Sequence, residues 1–151
     1  MKILLIEDDA NKANNIQEEI SKHYNAICID KKESYQSGLK AIINNADYDL
    51  LLLDMSIPTH DKSIGTQSEV RPMGGIDILK ELKRRSISIN VIVITQFDDF
   101  IGKGEHKRTL NELKQEMSTL YENYKKTISY VQNETAWRNE LINNIKIYYN
   151  V

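Results

Sequence analysis

The sequence predicts an α/β protein built on a five-stranded, doubly wound parallel sheet with helices on both faces. Residues 50–53 are four consecutive leucines flanked by acids, the pattern of a strand buried on both sides. Two other apolar runs end the same way: residues 3–6 stop at Glu7, Asp8 and Asp9, and residues 91–94 stop at Thr95. These runs alternate with stripes of helical period, and right-handed crossovers between parallel strands then place helices on both faces. Ligands of open α/β sheets bind beyond the carboxyl ends of the strands. The three runs therefore direct their polar residues to one edge, with Asp54, after the leucine run, at its centre.

Residues 2–6 read as the first strand, followed by a polar helix with Ala13, Ile16 and Ile20 along one side. Residues 26–30 form a short second strand. Ser34 then precedes Tyr35, Leu39, Ile42 and Ile43, whose i, i+4, i+7, i+8 spacing defines an amphipathic helix. After the leucine strand, residues 59–72 (THDKSIGTQSEVRP) read as a long polar loop placed to act as a lid. Gly74 and Gly75 open a helix with Ile78, Leu79 and Leu82 inward and Lys80, Lys83, Arg84 and Arg85 outward. The β-branched run NVIVIT is the fourth strand. A turn through Gly102 and Gly104 leads to Leu110, Leu113, Met117, Leu120, Tyr121 and Tyr124, read as an extended fourth helix over about 106–124. Residues 127–131 are the fifth strand. Trp137, Leu141, Ile145, Tyr148 and Tyr149 give a closing helix its apolar face, Trp137 serving as a core anchor.

At 151 residues the expectation is a single domain, 1–151, able to bury a proper core. A net charge of −2 offers no basic field for nucleic acid. The lone Cys28 excludes an intrachain disulfide and is expected to pack in a strand of a protein in a reducing cytoplasm. The start, from Met1 straight into an apolar run, is too short for a signal peptide, and no stretch approaches the length of a membrane span. His23, His60 and His106 lack metal-ligand spacing and read as surface residues.

Carboxylates converging at neighbouring strand ends repel one another unless a cation intervenes, and Mg2+ favours carboxylate and water oxygens. Glu7, Asp8 and Asp54 are thus a candidate Mg2+ site. The competing reading is that such acids cap helices and turns, Asp8 or Asp9 in the first helix and Asp54 in a turn.

The order KILLIEDDANKANNI, YDLLLLDMSIP, MGGIDILKELKRR, VIVIT resembles the receiver domain of two-component response regulators, closely to about Thr95 and in pattern beyond it. The resemblance implies a flavodoxin-like sheet of strand order 2-1-3-4-5. It implies that Asp54 accepts a phosphoryl group from a phosphohistidine of a histidine kinase or phosphotransfer protein, and that Glu7, Asp8, Asp54 and the carbonyl of Ser56 hold Mg2+. Asp9 matches a more variable acidic place, and Thr95 matches the hydroxyl that bonds the phosphoryl group. Carboxylate chemistry suits this role, since phosphoryl transfer depends chiefly on positioning and charge neutralisation.

The sequence departs from the family in two places. The lysine that closes the family's fifth strand is absent between Lys126 and Lys146, with Gln132 or Asn133 in its place, and Lys125 and Lys126 lie at the wrong end of that strand. Gln96 stands where a small residue usually follows the hydroxyl, placed to crowd the site. The reading is a receiver without an output domain, a phosphoacceptor rather than an enzyme. The alternative is a phosphorylation-independent adaptor that binds a partner through helix four, strand five and helix five. A phosphohydrolase is disfavoured, because Ser56 stands where a second aspartate would be needed. Tyr121 and Tyr124 are the expected interface for a homodimer or a downstream protein.

Overall fold

The computed structural model describes residues 1–45, 47–62, 69–96 and 108–149. The leucine run forms β3 (Leu50–Leu53) at the centre of a parallel sheet, with every residue buried. On one side it pairs with β1 (Lys2–Ile6), which pairs in turn with β2 (Cys28–Lys32). On the other side lies β6 (Asn90–Thr95), followed by β7 (Tyr124–Ser129). A short antiparallel ribbon, β4 (Ile57–Pro58) with β5 (Val70–Arg71), lies between β3 and β6 in the chain. The five long strands thus run in the order β2-β1-β3-β6-β7, which is the expected 2-1-3-4-5 once the ribbon is set aside.

The pleat separates two cores. Leu4, Ile6, Leu51, Leu53, Val91 and Val93 face α2 (Tyr35–Asn44), α3 (Gly74–Arg84) and α4 (Leu110–Leu120). Ile3, Leu5, Leu50, Leu52, Ile92 and Ile94 face α1 (Ala10–His23) and α5 (Ala136–Tyr148), where Trp137 is 1% exposed. Adjacent side chains on a strand point to opposite faces, so a sheet covered on both sides needs unbroken apolar runs.

Local chemistry sets the helix starts. Asp9 caps α1 by accepting from the amides of Asn11 and Lys12, Ser34 forms a capping box with Ser37 on α2, and Thr109 caps α4 through the Glu112 amide.

Several expectations change, beginning with the second strand, which lies two residues later than expected, at Cys28–Lys32. The fourth helix ends at Leu120: Tyr121 is its C-cap and Tyr124 opens β7. Both tyrosines are buried, at 4% and 9% exposure, and belong to the core over α3 and α4, so neither offers an interface. The helical spacing continued across the turn because residues at the end of α4 and the start of β7 fill the same core. Residues 97–107, which include the start expected for this helix, His106 and the glycine-spaced turn, lie outside the described residues. The last strand ends at Ser129, two residues earlier than expected, and starts at Tyr124. Cys28 lies in a strand but is exposed, because β2 is the edge of the sheet.

The loop of residues 59–72 is in part a structured stem, and its residues 63–68 lie outside the described residues. Its ribbon docks on α2: the Gln36 amide donates to the Thr59 carbonyl at 3.1 Å, and the Ser34 and Ser37 hydroxyls donate to Asp61 at 2.6 and 2.8 Å. Arg71 stacks over Tyr35 at 4.1 Å and pairs with Asp77 of α3 at 3.4 Å.

Candidate functional site

Parallel strands that end in register bring their following residues together. β1 and β3 pair Ile6 with Leu53, so Glu7 and Asp54 emerge side by side, and Asp8 follows in the turn before α1. Carboxylate oxygens of Glu7, Asp8 and Asp54 lie within 4.8 Å of one another. β6 contributes Thr95, 2% exposed, whose hydroxyl donates to Asp54 Oδ1 at 2.6 Å. The Met55 amide donates to the same oxygen at 2.8 Å. Ser56 is exposed in the bend that follows. Asp9 caps α1 through Oδ1, which accepts from the Asn11 and Lys12 amides. Gln96 is exposed beside Thr95.

The sequence reading missed Lys12. It stands in the first turn of α1, yet it is 3% exposed, and its ammonium reaches over the strand ends. Nζ lies 2.5 Å from Glu7 Oε1 and 3.4 Å from Asp54 Oδ2, and it donates to the Ile94 carbonyl at 2.9 Å. A signal was present: Lys12 stands four residues before Ile16 and eight before Ile20, so it belongs to the inward stripe of the helix. A cation in the first turn also opposes the helix dipole and gains nothing locally.

The end of the last strand also bears on the site. Thr95 pairs with Ser129, and the Tyr130 amide donates to the Thr95 carbonyl at 2.9 Å, so Tyr130 stands at the strand end. Gln132 and Asn133 are exposed in the turn beyond. Tyr130 is 4% exposed; its ring lies 5.4 Å from Lys12 Nζ, its hydroxyl accepts from Asn15 at 3.0 Å, and Trp137 packs on it at 4.7 Å.

Burial pushes the Glu7 carboxyl up to about 8, against the pull of Lys12, with the charge of Asp54 adding to the rise. Glu7 Oε1 meets the Lys12 ammonium at 2.5 Å, and Oε2 accepts from the Asp9 amide at 3.2 Å. The three neighbouring carboxylates are a hard-oxygen donor set that fits Mg2+.

The strand order and the helices on both faces are those of the flavodoxin-like fold found in receiver domains. The chain is similar to the solved receiver domain of a response regulator from Rhodospirillum rubrum, with a TM-score of 0.69 and 21% identity over 100% of this chain and 96% of that one. It is also similar to response regulator TrrA from Thermotoga maritima, solved in complex with Mg(2+)-BeF, with a TM-score of 0.64 and 18% identity over 98% of each chain. Among curated proteins it is 28% identical over 149 residues to the Detocs response regulatory protein DtcB of Enterobacter cloacae, across 96% of this chain and 98% of that protein. It is 27% identical over 146 residues to the uncharacterized protein y4jR of Sinorhizobium fredii, across 95% of each. No protein-family model matches the sequence. Among the described residues no helix is long and apolar enough to cross a membrane.

Proposed function

We propose that this chain is a receiver in which Asp54 accepts a phosphoryl group from the phosphohistidine of a histidine kinase or phosphotransfer protein. The observation that carries the reading is the meeting of Glu7, Asp8 and Asp54 at neighbouring strand ends, with the Thr95 hydroxyl already on the Asp54 carboxylate. An Asp54 oxygen forms the new O–P bond as the N–P bond breaks; the electron pair stays on the imidazole, which takes up a proton. Glu7, Asp8 and Asp54, with the carbonyl of Ser56, would hold Mg2+, which when bound neutralises charge on the transferred oxygens. Thr95 then turns its hydroxyl from the carboxylate to a phosphoryl oxygen. The role is signalling in the cytoplasm rather than turnover of a substrate, and the name of the Enterobacter cloacae relative, a response regulatory protein, supports it.

The adaptor reading rested on the absent strand lysine and on a surface of helix four, strand five and helix five; the burial of Tyr121 and Tyr124 takes both tyrosines out of such a surface. Incubation with acetyl phosphate and Mg2+ should add one phosphoryl mass to the wild type and none to Asp54→Asn. Labelling that persists in Asp54→Asn would place the acceptor elsewhere.

A further inference from the structure

This inference deepens the phosphoacceptor reading and rests on it. We propose that Lys12, projecting from α1, is the cation that pairs with the phosphoryl group carried by Asp54, in place of a lysine on the last strand.

Burying an ammonium is costly unless it is paired and hydrogen-bonded, and the first turn of a helix is an unfavourable place for one. Lys12 accepts both costs, and the acids at the strand ends are what compensate. Two of its contacts, at 2.5 Å to Glu7 and 2.9 Å to the Ile94 carbonyl, fix the ammonium over the site. The third, to Asp54 Oδ2, is looser at 3.4 Å. Asp54 Oδ1 already holds the Thr95 hydroxyl and the Met55 amide. Oδ2 therefore meets a donor that is close enough to attract a charge and far enough to leave space for a new bond. An ammonium offers three N–H donors, so Lys12 can keep Glu7 and Ile94 while its third N–H turns to a phosphoryl oxygen. Once Oδ2 carries phosphorus, about −1.5 to −2 of charge stands beside that donor.

Tyr130 completes the argument. It stands just past β7, a strand that lacks the closing lysine of the family, and its ring flanks the Lys12 ammonium. Helix and strand have thus exchanged roles: the strand supplies an aromatic wall and the helix supplies the charge.

The test uses the full chain with Mg2+ and beryllofluoride, observed by fluorine NMR, and acetyl phosphate labelling followed by mass. Lys12→Met should slow labelling on the order of 10²-fold, as expected for the loss of one charge-stabilising donor. Lys12→Met/Tyr130→Lys, which returns the lysine to the strand, should recover most of that rate, whereas a lysine with a merely structural role would show no such rescue. A wild type that binds beryllofluoride alongside a Lys12→Met variant that binds and labels equally well would overturn the role of Lys12 and leave Asp54 as acceptor. A wild type that neither binds nor labels would overturn both. Should Lys12→Met fail to fold by circular dichroism, the wild type still decides: bound fluorine must show a through-space contact to the Lys12 ammonium protons, and its absence sinks the proposal.

Discussion

Glu7 is held in a position where its charge is a burden to the fold. Its ordinary value of 4.5 is raised to about 8 chiefly by burial, so folding favours the protonated carboxyl. That contribution to stability is fully present below 4.5 and is lost as pH rises through about 8. In a metal chelator, the urea midpoint of the wild type should therefore fall across this window relative to Glu7→Gln, which keeps a neutral side chain of the same shape. Parallel pH profiles for the two proteins would show that Lys12 has already cancelled the cost of burial. The same residue must ionise to hold Mg2+, so a metal would oppose the alkaline loss.

Among the elements, α3 is the one whose start is set by the site. A Cβ on Gly75 would stand 2.8 Å from the Asp54 carbonyl oxygen and 3.1 Å from Met55 Cα, both backbone atoms that cannot rotate away. The Gly75 amide also donates to the Met55 carbonyl at 2.8 Å, tying the helix to the turn that carries the aspartate. Gly38 on α2 differs, because its Cβ would meet only the side chain of Ile6. Gly75→Ala should cost about 1–3 kcal/mol, the usual range for overpacking, and more than Gly38→Ala in the same urea titration. It should also disturb the amide resonance of Met55. A stabilised Gly75→Ala would mean that the turn after β3 yields more easily than its contacts imply.

Across the molecule, two cores share one sheet, and the tyrosines at the junction of α4 and β7 close the first of them. Tyr124 also bonds the Thr127 hydroxyl at 2.6 Å within the protein, and Lys83 lies over the Tyr121 ring at 5.8 Å. Tyr121→Ser and Tyr124→Ser should each destabilise by about 3–5 kcal/mol, the scale of losing a buried aromatic side chain. Sedimentation behaviour should stay that of the wild type. Unchanged stability with altered association would return these residues to a surface. The second core links the site to α5: Lys12 lies over Tyr130, Tyr130 packs on Trp137, and Arg138 stacks on that indole at 4.5 Å while pairing with Glu19 of α1 at 2.9 Å.

The sheet and its acidic edge were legible in the sequence because they depend on local pattern. A strand covered on both faces must be apolar without interruption, as residues 50–53 are, and the residue after such a run must stand at its carboxyl end. Asp54, Glu7 and Thr95 follow from that rule alone. Lys12 and Tyr130 do not, since they are 118 positions apart in number, 130 less 12, and meet only because α1 and β7 are folded against the same strand ends. A lysine in a polar helix and a tyrosine at a strand end each look ordinary until the chain is closed. The fate of Tyr121 and Tyr124 has the same cause: helical spacing marks which residues face inward, but whether a run continues as helix or turns into a strand depends on what the sheet needs at its edge. Patterns of burial are written along the chain, whereas the pairing of charges across it is set by packing.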